Sequence, residues 1–156
     1  MFVSFDGGQV YSQGAGPHKG EKRFEISLEC IDPVVKRGTS PRYLIKIKNV
    51  SGKPVRVLNV TDRPDLQACY YRINVSSNGK RLSLPVGLAC PGPFDPEHGY
   101  LSLPPGHSVS FFLKEFLVDL PELPRGSYRA NVEILGSALE SQTENYTSPE
   151  TDLRVD

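Results

Sequence analysis

Phe24-Glu25-Ile26-Ser27-Leu28-Glu29-Cys30 alternates apolar and polar residues without a break. Successive side chains of an extended chain point to opposite faces, so this stretch predicts a half-buried strand. Phe24, Ile26, Leu28 and Cys30 would face a core, with Glu25, Ser27 and Glu29 in water. Outward from it the pattern repeats. After Asp32-Pro33 and the Arg37-Gly38-Thr39 turn, Tyr43, Ile45 and Ile47 alternate with Arg42, Lys46 and Lys48. Asn49-Val50-Ser51-Gly52-Lys53-Pro54 supplies turn chemistry, and Val55, Val57 and Leu58 begin another extended run.

Cys69, Tyr71, Ile73 and Val75 alternate with Tyr70, Arg72 and Asn74, up to Ser77-Asn78-Gly79-Lys80, where Asn-Gly suits a type I′ hairpin turn. A Pro-rich excursion runs from Pro85 to Pro105 and holds one short strand, Gly99-Tyr100-Leu101-Ser102-Leu103. Val109 to Val118 is apolar enough for a helix, but its β-branched and aromatic content and bounding turns favour a strand. Tyr128, Ala130, Val132 and Ile134 form a further alternating run, then a polar loop from Gly136 to Pro149 leads to Asp152-Leu153-Arg154-Val155. The reading is all-β, an antiparallel β-sandwich of seven to nine strands with no amphipathic helix, over residues 23–156. Residues 1–22, rich in Gly, Gln and Ser, read as a flexible N-terminal arm.

Composition narrows the function classes. The 156 residues carry 18 basic and 18 acidic side chains, which argues against the one-sided positive field that nucleic acid requires. The 14 glycines and 14 prolines exceed the roughly 12% these two types make in average chains, and point to many tight turns. No apolar run reaches the roughly 18 residues of a membrane span, and Met1 to Gly8 lacks the basic head and apolar core of an export signal. The expectation is a soluble domain with no nucleic-acid partner and no membrane span.

Three motifs fall in order: Leu44-Ile45-Lys46-Ile47-Lys48-Asn49-Val50-Ser51-Gly52-Lys53-Pro54-Val55, then Leu101-Ser102-Leu103-Pro104-Pro105-Gly106-His107-Ser108-Val109, then Leu123-Pro124-Arg125-Gly126-Ser127-Tyr128. Together they resemble the core of bacterial immunoglobulin-like domains over residues 24 to 156. That resemblance implies an immunoglobulin-like sandwich with Tyr128 as a tyrosine-corner residue, its ring in the core and its hydroxyl returned to nearby backbone. The Asn-x-Ser-Gly-Lys-Pro-Val turn, the Leu-x-Pro-Gly motif and the Gly-x-Tyr strand are also similar to BsuPI-type intracellular proteinase inhibitors. Parts of the same grammar resemble the β-rich segment preceding deuterolysin-like metalloprotease domains, although the chain has no His-Glu-x-x-His. Such motifs mark a fold more than an activity.

Catalytic and metal chemistry find little here. The only histidines are His18 in the arm, His98 in the excursion and His107 in a turn, and no Gly-x-Ser-x-Gly elbow accompanies them. Cys90, His98 and His107 are eight and nine residues apart, unlike zinc or copper signatures, so no metal or cofactor is expected. Cys30 reads as a core thiol, and a Cys69–Cys90 disulfide would staple the excursion to the sheet in an oxidising compartment. Asn-x-Ser/Thr occurs at Asn49, Asn59, Asn74 and Asn145, which admits N-glycosylation; at Asn49 the turn explanation is preferred.

Two loops carry recognition chemistry. Ala89 to Tyr100 combines rigid prolines with Phe94, Asp95, Glu97, His98 and Tyr100. Thr61-Asp62-Arg63-Pro64-Asp65 is a second polar loop, contributing Asp62, Arg63 and Asp65. The expected function is a non-catalytic module that binds another protein or surface ligand through these loops, with an extracytoplasmic or secreted location favoured over the cytoplasm. The alternative is a proteinase inhibitor that inserts a Pro-stiffened loop, led by Arg63-Pro64 or Phe94, into a protease cleft.

Overall fold

The computed structural model describes residues 22–82, 99–113, 123–139 and 144–156. The expected arm therefore lies outside the described residues except for Lys22. Eleven strands appear among the described residues: β1 (Phe24–Cys30), β2 (Val34–Val35), β3 (Tyr43–Asn49), β4 (Val55–Leu58), β5 (Tyr71–Ser77), β6 (Lys80–Leu82), β7 (Tyr100–Leu103), β8 (Ser108–Leu113), β9 (Gly126–Ile134), β10 (Tyr146–Thr147) and β11 (Thr151–Val155). β1, β3 and β8 form one sheet in that order. A larger sheet runs β2-β11-β9-β5-β6, with β10 added to β9, and β4 pairs with β7 as a separate ribbon.

The two sheets bury the faces that alternation marks. Ile26, Leu28, Tyr43, Ile45, Ile47, Phe111 and Leu113 from the first meet Tyr71, Ile73, Val75, Ala130, Val132, Ile134 and Leu153 from the second in one core. A fully buried Val, Leu or Ile stabilises by about 1.5–3 kcal/mol, so these rows drive assembly. Edge-on ring contacts cross between elements: Tyr71 meets Phe111 at 6.2 Å and Phe24 meets Tyr146 at 5.3 Å between centroids. The architecture is an immunoglobulin-like β-sandwich in which the first strand changes sheets. β1 pairs antiparallel with β3, whereas β2, after Asp32-Pro33, pairs parallel with β11. That parallel pair departs from the all-antiparallel expectation.

Turn chemistry sets the local geometry where the backbone needs it. Asn78 and Gly79 have φ of 50° and 74°, the double positive φ of a type I′ turn, and join Ser77 to its partner Lys80. Asn49 is fully buried at the end of β3. Its Nδ2 donates to Lys53 O and Leu103 O, both at 2.8 Å, and its Oδ1 accepts from Ser51 N at 2.9 Å and Ser51 Oγ at 2.7 Å. One amide thus pins the β3–β4 turn to the end of β7. Tyr128, buried on β9, donates its hydroxyl to Pro124 O at 2.6 Å, four residues upstream.

The structure corrects three sequence readings. Pro64–Tyr70 is a helix, α1, where a polar loop running into a strand is expected. Pro64 stands in the first turn, where its fixed φ suits a helix, and Asp65 adds a favourable negative charge there. Cys69 accordingly belongs to the last turn of α1 and the strand begins at Tyr71. The loop from Gly136 to Pro149 contains a 3₁₀ turn, Gly136–Leu139, and the short strand β10. Of the strand expected over Val109 to Val118, the part to Leu113 lies in β8, and residues 114–118 lie outside the described residues.

Candidate functional site

Strand direction sends several connections to one end of the sandwich. β4 runs into the Asn59–Arg63 loop and α1, β7 begins there, and β9 ends there in the 3₁₀ turn. Asn59 N donates to Gly99 O at 2.7 Å, just beyond the Leu58–Tyr100 pair of the ribbon. The Tyr100 hydroxyl donates to Ser137 O at 2.8 Å, and the Arg56 guanidinium lies 4.9 Å from the centre of its ring. Leu135 N donates to Tyr70 O at 2.9 Å, closing the end of α1 onto the chain after β9.

The structure brings Asp62, Arg63, Asp65 and Tyr100 to this end. Asp62 has φ of 57°, a left-handed conformation that aspartate tolerates better than most residues, and it is exposed. Arg63 donates to Asp65 through Nε at 3.1 Å and Nη2 at 2.8 Å. That two-pronged hydrogen bond holds the Asp65 carboxyl below its ordinary range and the Arg63 guanidinium above its own. Both side chains are solvent-exposed, so the pair is available to a partner at little cost in stability. Phe94, Asp95, Glu97 and His98 lie outside the described residues. Cys69 is disulfide-bonded; Cys90, the partner expected for it, also lies outside the described residues. Cys30 is a free buried thiol whose pKa is raised by burial.

Sequence reasoning missed Gln67. It is 1% exposed, and its Nε2 donates to Val60 O at 2.9 Å and Phe112 O at 3.1 Å, tying α1 to the preceding loop and to β8. The available signal was a lone amide between Leu66 and Cys69, both of which turn inward. His107 sits in the turn before β8 with Nδ1 3.1 Å from Pro105 O. A shallow hollow of about 530 Å³ at the opposite end, beside Arg125, Ser127 and Arg154, is open, and the Arg154 Nε there is bonded to Asp156. Among the described residues no group of three or more His, Cys, Asp or Glu could hold a metal ion. No helix among them is long and apolar enough to cross a membrane.

The four Asn-x-Ser/Thr asparagines have different settings. Asn49 is consumed by its four bonds, and Asn74 donates to Asn131 Oδ1 at 3.0 Å and accepts from Arg81. Asn59 accepts from Thr61 N at 3.1 Å. Asn145 bridges Gly136 N at 3.2 Å and Glu133 Oε1 at 3.1 Å. Each therefore does turn or ladder work, and Asn49 is closed to modification in the folded chain.

No family model matches this chain, and no curated protein matches it. Among solved structures, the CARDB domain of a Pyrococcus furiosus protein, in complex with di-metal ions, is similar at 18% identity over 85% of this chain and 87% of that one, with a TM-score of 0.38. The β-glucosidase of Listeria innocua in complex with glucose is similar at 17% identity, covering 85% of this chain but 16% of the enzyme, with a TM-score of 0.39.

Proposed function

We propose that this domain is a non-catalytic module that recognises another protein through its α1 end. The carrying observation is the 2.7 Å bond from Asn59 N to Gly99 O, which holds the start of the Asn59–Asp65 segment against the residue before Tyr100 and supports reading the two stretches as one surface. Arg63 and Tyr100 offer a guanidinium fork and an aromatic ring on a rigid sandwich, residue types that interfaces favour, with the Asp65 carboxylate beside the fork. Inhibition of a protease by Arg63-Pro64 fits poorly, because Pro64 opens a helix and a protease cleft binds extended backbone. On that reading only Phe94 remains to lead an inserted loop.

Photo-crosslinking tests the proposal. A photoreactive residue placed at Arg63 or Tyr100, with Lys53 at the opposite end as control, is exposed to an extract of the native source. The same partner should be captured from the first two positions and not from Lys53. Equal labelling from all three positions would overturn the assignment.

A further inference from the structure

We infer that the open hollow where β9 begins and β11 ends is a site for the terminal phosphate of a small organic phosphate ester. The hollow, about 530 Å³, lies between Arg125–Ser127 and Arg154–Asp156, all of them described residues. Strand register explains the gathering. Arg154 pairs with Ser127 on one side and Val34 on the other, and Val155 pairs with Gly126 and Val35. Tyr128, Leu153, Val155 and Val35 are buried, so alternation sends Arg154 and Ser127 outward together. Arg125 precedes the last β9–β11 pair and Asp156 follows it. Asp156 N donates to Val35 O and Arg37 N to Asp156 O, which sets Lys36 alongside Asp156.

Charge selects the ligand. Lys36, Arg125 and Ser127 are exposed, and their side chains have no partner among the described residues. Arg154 commits Nε to Asp156 Oδ1 at 2.8 Å, and its two terminal nitrogens bond nothing else among those residues. Arg37 is already engaged. With Arg37 set aside, three cations, Lys36, Arg125 and Arg154, stand against one carboxylate side chain, Asp156, an excess of two charges. In the next row Arg129 lies between Glu150 at 3.4 Å and Asp152 at 3.8 Å and has no charge to spare, so the positive field ends at the hollow.

A carboxylate or a sulfate ester brings one negative charge, whereas a phosphate monoester carries about −1.5 to −2 at pH 7 on three acceptor oxygens. Guanidinium forks take such oxygens two at a time, and the Ser127 hydroxyl is a further donor. A volume of this size belongs to sites for small molecules rather than bare ions, which leaves room for the body that the phosphate ends. Asp156 beside the Arg154 fork repels the same anion and so sets an upper limit on the affinity. The inference stands apart from the recognition reading and holds whether or not the α1 end binds a partner.

The test titrates the full isotopically labelled chain with glycerol phosphate, inorganic phosphate and methyl sulfate at constant ionic strength, followed by amide chemical shifts. Glycerol phosphate should bind at millimolar concentration and move residues 125–127 and 154–156 most. Inorganic phosphate should act at the same residues more weakly, and methyl sulfate, with one charge, more weakly still. Arg125→Ala removes a side chain without a partner, so it should fold normally and weaken glycerol phosphate roughly tenfold or more, with Arg125→Lys between the two. Asp156→Asn should strengthen binding roughly two- to fivefold, an effect that a merely structural role for Asp156 does not produce. The absence of shifts at these residues would overturn the inference, as would binding indifferent to Arg125→Ala, methyl sulfate binding as tightly as glycerol phosphate, or weaker binding by Asp156→Asn. Equal affinity for inorganic phosphate and glycerol phosphate would overturn the choice of an ester in favour of the free ion.

Discussion

Asn49→Ala should be among the most damaging single changes outside the apolar core. The substitution deletes two donated and two accepted hydrogen bonds while leaving the backbone bonds of residue 49 to Gly106 and His107 in place. The partners do not suffer equally. Leu103 O sits in a buried bond and loses its donor without access to water, a penalty of about 1–3 kcal/mol. Lys53 O and Ser51 N lie nearer the surface, where water recovers part of each bond, so they add roughly 0.5 kcal/mol apiece. The total is about 2–4 kcal/mol, a large share of the roughly 5–15 kcal/mol that holds a domain folded.

Urea unfolding reads this directly: with a slope near 2 kcal/mol/M the midpoint should fall by about 1–2 M and the slope should not change. Asn49→Asp separates donors from acceptors, because it keeps the contact to Ser51 and loses both donations. A carboxylate buried against two carbonyls has its folded pKa raised above the unfolded value of about 3.9. Its penalty is absent below that unfolded pKa, develops as pH rises toward the folded pKa, and is complete above it. Asn49→Asp should therefore be far less stable than wild type at pH 7 and recover as the solution is acidified. A loss under about 0.5 kcal/mol for Asn49→Ala, or wild-type stability of Asn49→Asp at pH 7, would refute the reasoning.

Two tyrosines should respond to loss of their hydroxyls in opposite directions. Among the described residues the buried Tyr71 hydroxyl has no partner, so Tyr71→Phe should gain about 1 kcal/mol, whereas Tyr128→Phe forfeits the 2.6 Å bond to Pro124 O and should lose about 1 kcal/mol. Thermal unfolding would show shifts of roughly 3 °C up and down. The Arg42 side chain, bonded to Asp32 at 2.7 and 2.9 Å, holds that carboxyl below its ordinary range. Its contribution is present above the unfolded pKa of about 3.9 and lost as pH falls through the folded value, so Asp32→Asn should lower the melting temperature at pH 6 and change it little at the acid extreme. Burial pushes the Cys30 thiol up, so alkylation at pH 8 should modify Cys30 only as fast as the domain unfolds; rapid modification of the native protein, read by intact mass, would contradict its place in the core.

Period two was legible wherever a strand has one buried face. Phe24–Cys30, Tyr43–Asn49 and Gly126–Ile134 all alternate because water lies on the other side. The method failed at Cys69, where two periods share a residue. Positions 69, 71, 73 and 75 satisfy a strand, while 66, 69 and 70 satisfy one helical turn, and Pro64 with Asp65 tips the first residues toward the helix. Asn78-Gly79 announced its hairpin because both residues tolerate positive φ. The β4–β7 ribbon could not be read, since its partners are more than forty residues apart and no local turn specifies them. The buried Asn49 looks like turn chemistry, and it is, but its reach to Leu103 depends on that same distant pairing.

The larger sheet's outer face and the α1 end are both polar, yet they are polar in different ways. On the face, Asn74 bonds Asn131 across the β5–β9 ladder, Arg81 reaches Asn74 and Glu133, and Arg129 lies between Glu150 and Asp152. The Asn74–Asn131, Arg81–Asn74 and Arg129–Asp152 pairs join neighbouring strands, so a ligand that captured any of these would loosen the sheet that presents it. At the α1 end the Arg63–Asp65 pair lies within one stretch of chain and joins no two elements. The joining there falls to Asn59 N on Gly99 O, to the half-buried Tyr100 through its hydroxyl on Ser137 O, and to the buried Gln67 on Val60 O and Phe112 O. Exposed side chains at that end can exchange one partner for another while the bonds beneath them keep the surface in shape. This division is the reason for proposing the end, rather than the face, as the recognition surface.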